Sequence, residues 1–432
     1  GKTIFDPIHG YIHLGSEETK IIDTLAFQRL HHIRHLGTVY LVYPSATHTR
    51  FSHSLGVLAI MDRFARRALQ SAGNDRRTVE DTVEDNVRIL RLAALLHDVA
   101  HYPFSHVLDA IGDVGSTDRS DSGRGDGFPS HEKMAEVVIE RTSIRDIVSN
   151  DMRRLVSGVI AGTTNDRVFR YLMSSDIDAD RVDYLMRDAY FTGVAYGGID
   201  VYRLEETIRS DDEGVFFVDK GIPSVENTLL ARYHMYQTVY YHKVSQGFGH
   251  MLRRIYEMMV REGLVHGPRD IHSILKDENE WYGFNDIYVL NAMKNVLKEH
   301  SDSVLKTMVC DFLERRPLKV AASTTVLGGS KSDNRYGTML MFAERRKREE
   351  LAETADVPAE WIFYEECNVS FLRGEVEYPV RIGIPENGKP RVTTLAELRP
   401  HLARISSKTV RIYARREHQD RIREAIQGMT EC

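Results

Sequence analysis

Residues 92–109 read LeuAlaAlaLeuLeuHisAspValAlaHisTyrProPheSerHisValLeuAsp. Upstream, Val83, Val87, Leu90 and Ala94 recur every three or four residues, and Ile89, Leu92, Ala93 and Leu95 fill the flanks. This predicts a helix that is apolar nearly all round just before His97, and such a helix is buried. An imidazole and a carboxylate at its end cost several kcal/mol unless partnered. A divalent cation would partner both, since it binds neutral imidazole nitrogen and ionised carboxylate. A core histidine hydrogen-bonded to its neighbour is the alternative, and a His-Asp dipeptide alone does not separate the two.

Working outward, HisThrArgPheSerHis at 48–53 sets Arg50 and His53 three apart on one helical face, with Phe51 turned into the core. Within 97–109 the device repeats: His97 and His101 are an i,i+4 pair, Pro103 breaks the helix, and His106 and Asp109 are an i,i+3 pair. Val99, Phe104, Val107 and Leu108 are buried between them, so a cavity lined with histidine is expected. In IleAspAlaAspArgValAspTyrLeuMetArgAsp, 177–188, residues Asp180, Tyr184 and Asp188 make one polar line on a helix. A surface helix laced by Asp–Arg pairs would show the same spacing. Arg232, Tyr240 and Lys243 on a later helix could equally be side chains that snorkel to solvent.

The whole chain of 432 residues carries 57 Lys and Arg against 63 Asp and Glu, with 42% hydrophobic residues, a globular composition that excludes collagen, coiled-coil and low-complexity classes. No apolar run reaches the length of a membrane span, no secretory signal opens the sequence, and the three cysteines lack metal or redox spacing. A soluble protein of a reducing cytoplasm is expected. A formal charge of −6 does not draw the chain to polynucleotides, so an anionic substrate must meet a locally positive pocket.

Helical periods dominate to about residue 315. Helices are expected around Ile21–Leu30, Leu55–Leu69, Val83–Leu96, from His131 with Ser130 as N-cap, and over Asp178–Tyr190. The longest is expected from Ser224 to about Met258. Gly112–Ser130, rich in Gly, Ser and Asp, reads as a mobile loop. Beyond 316, Val320–Leu327, Trp361–Tyr364, Val376–Ile384 and Thr409–Tyr413 read as strands, with a loop at 328–334. The fold class is therefore mainly α: a multi-helix core over 1–315 and a smaller α+β lobe over 316–432.

The motifs together resemble the HD-domain deoxynucleoside triphosphate triphosphohydrolases, the type whose vertebrate member joins a sterile alpha motif to an HD domain. PheAspProIleHisGlyTyrIle (5–12), IleIleAspThrLeuAlaPheGlnArgLeu (21–30), ThrHisThrArgPheSerHisSerLeuGlyVal (47–57), the stretch 95–106, SerHisGlu (130–132), 178–188 and TyrTyrHisLysVal (240–244) carry the likeness in the family's order. It spans about residues 4–260 and only loosely the C-terminal lobe. The resemblance implies an HD-domain core and a metal held by His53, His97, Asp98 and Asp180. It implies a catalytic group of His101, His106, Asp109 and His131. Arg50, Arg181, Tyr184, Arg232 and Lys243 fall where the family contacts the triphosphate, and Tyr240 and Asp188 where it holds the nucleoside. Arg181 stands for a lysine, and His35 for a glutamine beside the sugar, while Leu36 matches the residue that crowds the 2′ position.

The implied cofactor is a divalent metal (Fe, Mn, Mg, Zn or Ni), with a second Mg accompanying the triphosphate. The implied reaction is attack at the α-phosphorus with loss of the 5′-oxygen, which His106 could protonate. His131, oriented with His101 by Asp109, could serve as base or phosphate donor. A nucleoside triphosphate substrate, a nucleotide effector and a homo-oligomer, dimer or tetramer, are the implied partners. At the family's effector site Asp23 and Gln28 match, His31 replaces an arginine and Phe5 an asparagine, which leaves the effector open. Two other readings remain: another HD-type nucleotidase, phosphodiesterase or nuclease, and a non-catalytic nucleotide sensor.

Overall fold

The computed structural model describes residues 1–71, 80–109, 127–299, 303–328, 334–372, 377–387 and 389–430. Most of the expected loop at 112–130, residues 329–333, Val376 and Cys432 lie outside them. Phe128, which composition assigned to the loop, is buried against Tyr102, and the Tyr102 hydroxyl donates to the Pro129 carbonyl at 2.8 Å.

The helical body is built around Arg50–Ser71, which packs on Glu80–Leu96 and on Ala179–Thr192. Leu55, Leu58, Met61, Phe64, Leu90, Leu92 and Leu95 are buried there, as their period requires. Ala179–Thr192 begins where Asp178 accepts from the Arg181 amide and ends at Gly193, whose φ of +77° is a left-handed stop. His131–Arg141 opens on Ser130, whose hydroxyl accepts from the Lys133 amide.

Three expectations are corrected. The buried helix ends at Leu96, so His97–Ala100 form a turn and Pro103 lies beyond a helix already finished. The long helix from Ser224 is two helices, Ile222–Met235 and Lys243–Arg261, separated by a π-turn over Tyr236–Tyr240 and a break at Tyr241–His242. And the region before 315 contains strands: β1 (Lys2–Asp6) and β2 (Gly10–Leu14) form an N-terminal hairpin, while β3 (Ile208–Asp211) and β4 (Gly214–Val218) form a second.

Towards the C-terminus lie β5 (Lys319–Leu327), β6 (Phe363–Ser370), β7 (Arg381–Glu386), β8 (Lys389–Thr394) and β9 (Ser406–Ala414). β5, β9 and β6 make an antiparallel sheet in the order β5-β9-β6. Alternation along β9 sends Val410, Ile412 and Ala414 into a small core with Met339, Leu351 and Ile422, and Tyr413 into the main core. β7 and β8 extend the early hairpin into a sheet β3-β4-β7-β8, with β4 and β7 parallel at Phe217–Ile382. One sheet thus joins residues from both sides of position 315.

Candidate metal centre and phosphate pocket

Three separated segments converge. Arg50 and His53 stand on the first turn of Arg50–Ser71, His97 and Asp98 on the turn after Leu96, and Asp180 on the first turn of Ala179–Thr192. His53 Nε2 lies 3.0 Å from Asp180 Oδ1 and 3.7 Å from Asp98 Oδ2. His97 Nε2 lies 3.3 Å from Asp98 Oδ1 and 3.7 Å from Asp180 Oδ1. Nδ1 of His97 donates to the Ala94 carbonyl at 2.8 Å, which leaves the Nε2 lone pair aimed at the carboxylates. His53, His97 and Asp180 can share one ion, and so can His35, His53 and Asp98.

The donor set fits a cation on two counts. His53 Nε2 and His97 Nε2 are buried without a hydrogen-bond partner, an expensive arrangement unless a ligand takes them. Charge agrees in sign: the connected carboxylates Asp6, Asp98, Asp180 and Asp183 outnumber the guanidinium groups paired with them, Arg50 and Arg187, so the cluster attracts a cation. Burial disfavours a charged imidazole, yet the adjacent carboxylates of Asp180 and Asp183 push His53 up to about 10. Burial would raise Asp180, but His53 and His97 bring it down to about 2. The pocket therefore demands positive charge at this point, and a metal can supply it in place of a proton.

Behind the ligands stands a layer the sequence reading missed. His53 Nδ1 is 2.7 Å from Asp183 Oδ2, and His9 Nε2 is 2.5 Å from Asp183 Oδ1. Arg187 grips the same carboxylate through Nε and Nη2 and reaches Asp6 at 2.8 Å. Asp6 in turn accepts from the amides of Ile8 and His9 in the β1–β2 turn. A carboxylate on the far nitrogen of a ligating histidine fixes its tautomer and orientation. The signal was present in 178–188, where Asp183 and Arg187 are an i,i+4 pair facing away from Asp180, Tyr184 and Asp188.

On the other side of Asp98 lie the remaining histidines. His101 Nε2 is 3.1 Å from Asp98 Oδ1, its ring stacks on His131 at 3.7 Å, and His106 sits 5.2 Å away edge-on. Burial, then Arg50, then His131 hold the His101 imidazole well below its usual range, so it is neutral near pH 7. Asp109 closes the short helix His106–Asp109 in the backbone, and its side chain lies outside the described part. Arg50 donates to Asp98 at 2.5 Å and to Ser105 Oγ at 2.7 Å, while its Nη2 is buried with no partner.

The polar line on Ala179–Thr192 faces inward. Asp188 accepts from Tyr240 at 2.7 Å and pairs with His48 at 2.7 Å, with His35 3.7 Å away. A cavity of about 250 Å³ adjoins it, lined by His35, Leu36, His106, Tyr240 and Gln246 among others. A second, of about 100 Å³, lies between Arg181, Arg232, Tyr236 and the β6 residues Asn368–Ser370. Arg232 is not a snorkelling side chain: it is buried, donating at 2.8 Å to Asp176 and to the Phe371 carbonyl. Arg181 pairs with Asp178, and Lys243 is exposed at the head of its helix. The three effector residues are held by separate local partners: Asp23 by Lys2 at 3.4 Å, Gln28 by the Ile22 carbonyl, His31 by stacking on Phe51.

A family profile described as the HD domain matches residues 50–183, and one described as the HD associated region matches residues 199–431. The chain belongs to the HD-domain family. It is 36% identical over 249 residues to the uncharacterised protein YwfO of Bacillus subtilis, covering 57% of this chain and 53% of that one. It is 30% identical over 256 residues to the deoxynucleoside triphosphate triphosphohydrolase SAMHD1 homologue of Dictyostelium discoideum, covering 57% and 47%. The chain spans about half the length of the curated relatives it matches. A crystal structure of a hypothetical protein from Aquifex aeolicus superposes with a TM-score of 0.74 at 26% identity, covering 98% of this chain and 99% of that one. The HD profile spans all four expected ligands, His53 to Asp180, and the associated region supplies Arg232, Tyr240 and the C-terminal strands.

Proposed function

We propose that this HD-domain protein is a metal-dependent dNTP triphosphohydrolase that releases a deoxynucleoside and inorganic triphosphate. The observation that carries the reading is the meeting of three unpartnered buried polar atoms, His53 Nε2, His97 Nε2 and Arg50 Nη2, beside two carboxylates and a histidine trio. His53, His97, Asp98 and Asp180 would hold a divalent ion, of which Mn, Fe, Mg, Zn and Ni all suit nitrogen and oxygen donors. Such an ion supplies Lewis acidity at an α-phosphate oxygen and lowers the pKa of water bound to it.

The rest falls to side chains. Arg50 Nη2 can donate to a phosphate oxygen while its other nitrogens stay on Asp98 and Ser105, so it binds anion without rearranging. His131, its ring stacked on neutral His101, would serve as base toward the attacking water or donate to a phosphate oxygen. His106, exposed at the edge of the larger cavity, would protonate the departing 5′-oxygen. Arg181 and Arg232 line the pocket into which β- and γ-phosphates would extend, with a second Mg accompanying them. His35, Leu36, Tyr240 and Asp188 would hold the nucleoside.

Resolving the products of each dNTP and rNTP after incubation with Mn²⁺, Mg²⁺ or Fe²⁺ tests the reading. Nucleoside plus triphosphate is expected. Monophosphate or diphosphate would show another HD-type hydrolysis, and unaltered nucleotide with measurable binding would show a sensor.

A further inference from the structure

Phe104 and Ser105 are consecutive non-glycine residues in the left-handed region, with φ of 55° and 54°. Left-handed backbone is unfavourable for residues bearing a Cβ, and two in succession persist only where surrounding groups over-determine them. They occupy the turn between His101 and His106, and both are buried.

The groups that hold this turn come largely from outside the HD-profile region. Asp286, the first residue of helix Asp286–Glu299, is buried and has no place in the metal centre. Its Oδ1 accepts from the Phe104 amide at 2.7 Å and its Oδ2 from the Arg34 amide at 3.0 Å. One carboxylate thus joins the histidine turn to the segment that carries His35 and Leu36. Ser105 Oγ reinforces the join, donating to the Arg34 carbonyl at 2.8 Å while accepting from Arg50. Arg29 completes it from the same side, donating to the His101 carbonyl at 2.8 Å and to the Phe284 carbonyl at 2.7 Å, with its guanidinium 4.0 Å over Trp281. Gly37 leaves room for the turn: a Cβ there would stand 2.8 Å from the Phe104 carbonyl oxygen.

We propose that Asp286 is a positioning residue for the reaction: its carboxylate fixes the Phe104–Ser105 turn and so sets the direction in which His101 and His106 present their imidazoles. This rests on the phosphohydrolase reading of the site. Asp286 touches neither the metal ligands nor the phosphate-facing arginines, and the segment carrying His35 and Leu36 is also held by the Ser105 Oγ bond to the Arg34 carbonyl and the His35 amide bond to the His48 carbonyl, so loss of Asp286 should leave binding largely intact and slow the chemical step. Asn at this position keeps one acceptor for the Phe104 amide but turns a donor toward the Arg34 amide, so Asp286→Asn should fall between wild type and Asp286→Ala.

The test uses the metal-loaded full chain. Asp286→Ala is expected to lower kcat at least tenfold and Asp286→Asn about threefold to tenfold, with KM within threefold of wild type and metal per chain unchanged. A second measurement is independent of turnover: the His101 and His106 ring signals in long-range ¹H–¹⁵N spectra should shift in both variants, while those of His53 and His97 stay in place. Unchanged kcat, or a loss of turnover matched by loss of metal, would overturn the inference, as would unmoved His101 and His106 signals. A wild-type chain that hydrolyses no nucleotide would instead refute the phosphohydrolase reading, and the ring signals would still decide whether Asp286 positions the two histidines.

Discussion

Gly56 has no side chain because a carboxylate occupies the place where one would be. A Cβ there would lie 1.9 Å from Asp183 Oδ1 and 2.4 Å from Arg187 Nη2, both fully buried. Gly56→Ala should therefore push Asp183 off His53, costing about 2–3 kcal/mol in a denaturant titration, as overpacking does. Metal affinity should fall about tenfold, in line with other disturbances of a ligand's supporting partner; wild-type affinity in a folded Gly56→Ala protein would refute this role for Asp183. Asp286 offers a pH test of a different kind. Burial raises its carboxyl to about 6 against the amides of Phe104 and Arg34 and the guanidinium groups of Arg34 and Arg29 that face it, and Arg29, lowered by burial to about 9, keeps its charge across this range. A folded pKa above the unfolded value means that the folded state holds the proton more tightly. The contribution of Asp286 to stability must then decline as pH rises from about 4 to about 6 and level off above. Unfolding free energies of wild type and Asp286→Asn should diverge over that window, by about 2 kcal/mol in favour of the variant relative to their difference at pH 4. A constant difference would mean that the carboxyl is not perturbed. Polar residues set among apolar helical ones made His53, His97, Asp98 and Asp180 conspicuous in the sequence, but spacing alone left a hydrogen-bonded core histidine and a surface Asp–Arg helix open, and only the family resemblance assigned these residues to a metal. Asp286 was not legible, since a lone aspartate at a helix start reads as an ordinary first-turn acid.

At the level of elements, the π-turn over Tyr236–Tyr240 turns a helix into a wall of the site. It places Tyr240 on Asp188 and Tyr236 in the arginine-lined pocket. An uninterrupted helix from Ile222 to Arg261 would distribute these tyrosines differently, which is why π-turns so often mark functional positions. The three- and four-residue spacing in this stretch gave no warning, because one extra residue in a turn leaves the apolar pattern on either side intact. Nor did alternation announce β1–β4: strands of four or five residues carry too few positions to show a period. Tyr240→Phe removes the hydroxyl that donates to buried Asp188 and keeps the ring. The variant should lose about 1–2 kcal/mol of stability, the cost of a charged acceptor losing one partner, while binding the metal as wild type does. Nucleotide affinity should weaken several-fold. An unaltered KM would show that Asp188 and its partners stand apart from the nucleoside pocket.

Across the molecule, the C-terminal strands serve two different cores, and that division predicts how the site responds to damage. β7 pairs with β4, and Ile382, Trp361, Phe371 and Tyr413 belong to the same core as Phe64 and Leu92. Polar ties run the same way: Arg232 donates to the Phe371 carbonyl, and Arg411 on β9 donates at 2.8 Å to the Tyr241 carbonyl exposed by the break after the π-turn. Ile422, Met339 and Leu351 instead fill the smaller core on the far face of the β5-β9-β6 sheet. Both Ile382 and Ile422 are fully buried, so truncating either to Ala should cost about 2–5 kcal/mol. The consequences should differ. Ile382→Ala weakens the core on which the ligand helices rest, so loss of metal and loss of helical signal should shift together to lower denaturant. Ile422→Ala should open the small core first, seen as faster amide exchange in β5 and the helix Gln419–Thr430, while metal stays bound and the Arg50–Ser71 amides stay protected. If both variants release metal at the same denaturant concentration, the two cores melt as one cooperative unit, and the C-terminal sheet supports the metal centre as fully as the helices that carry its ligands.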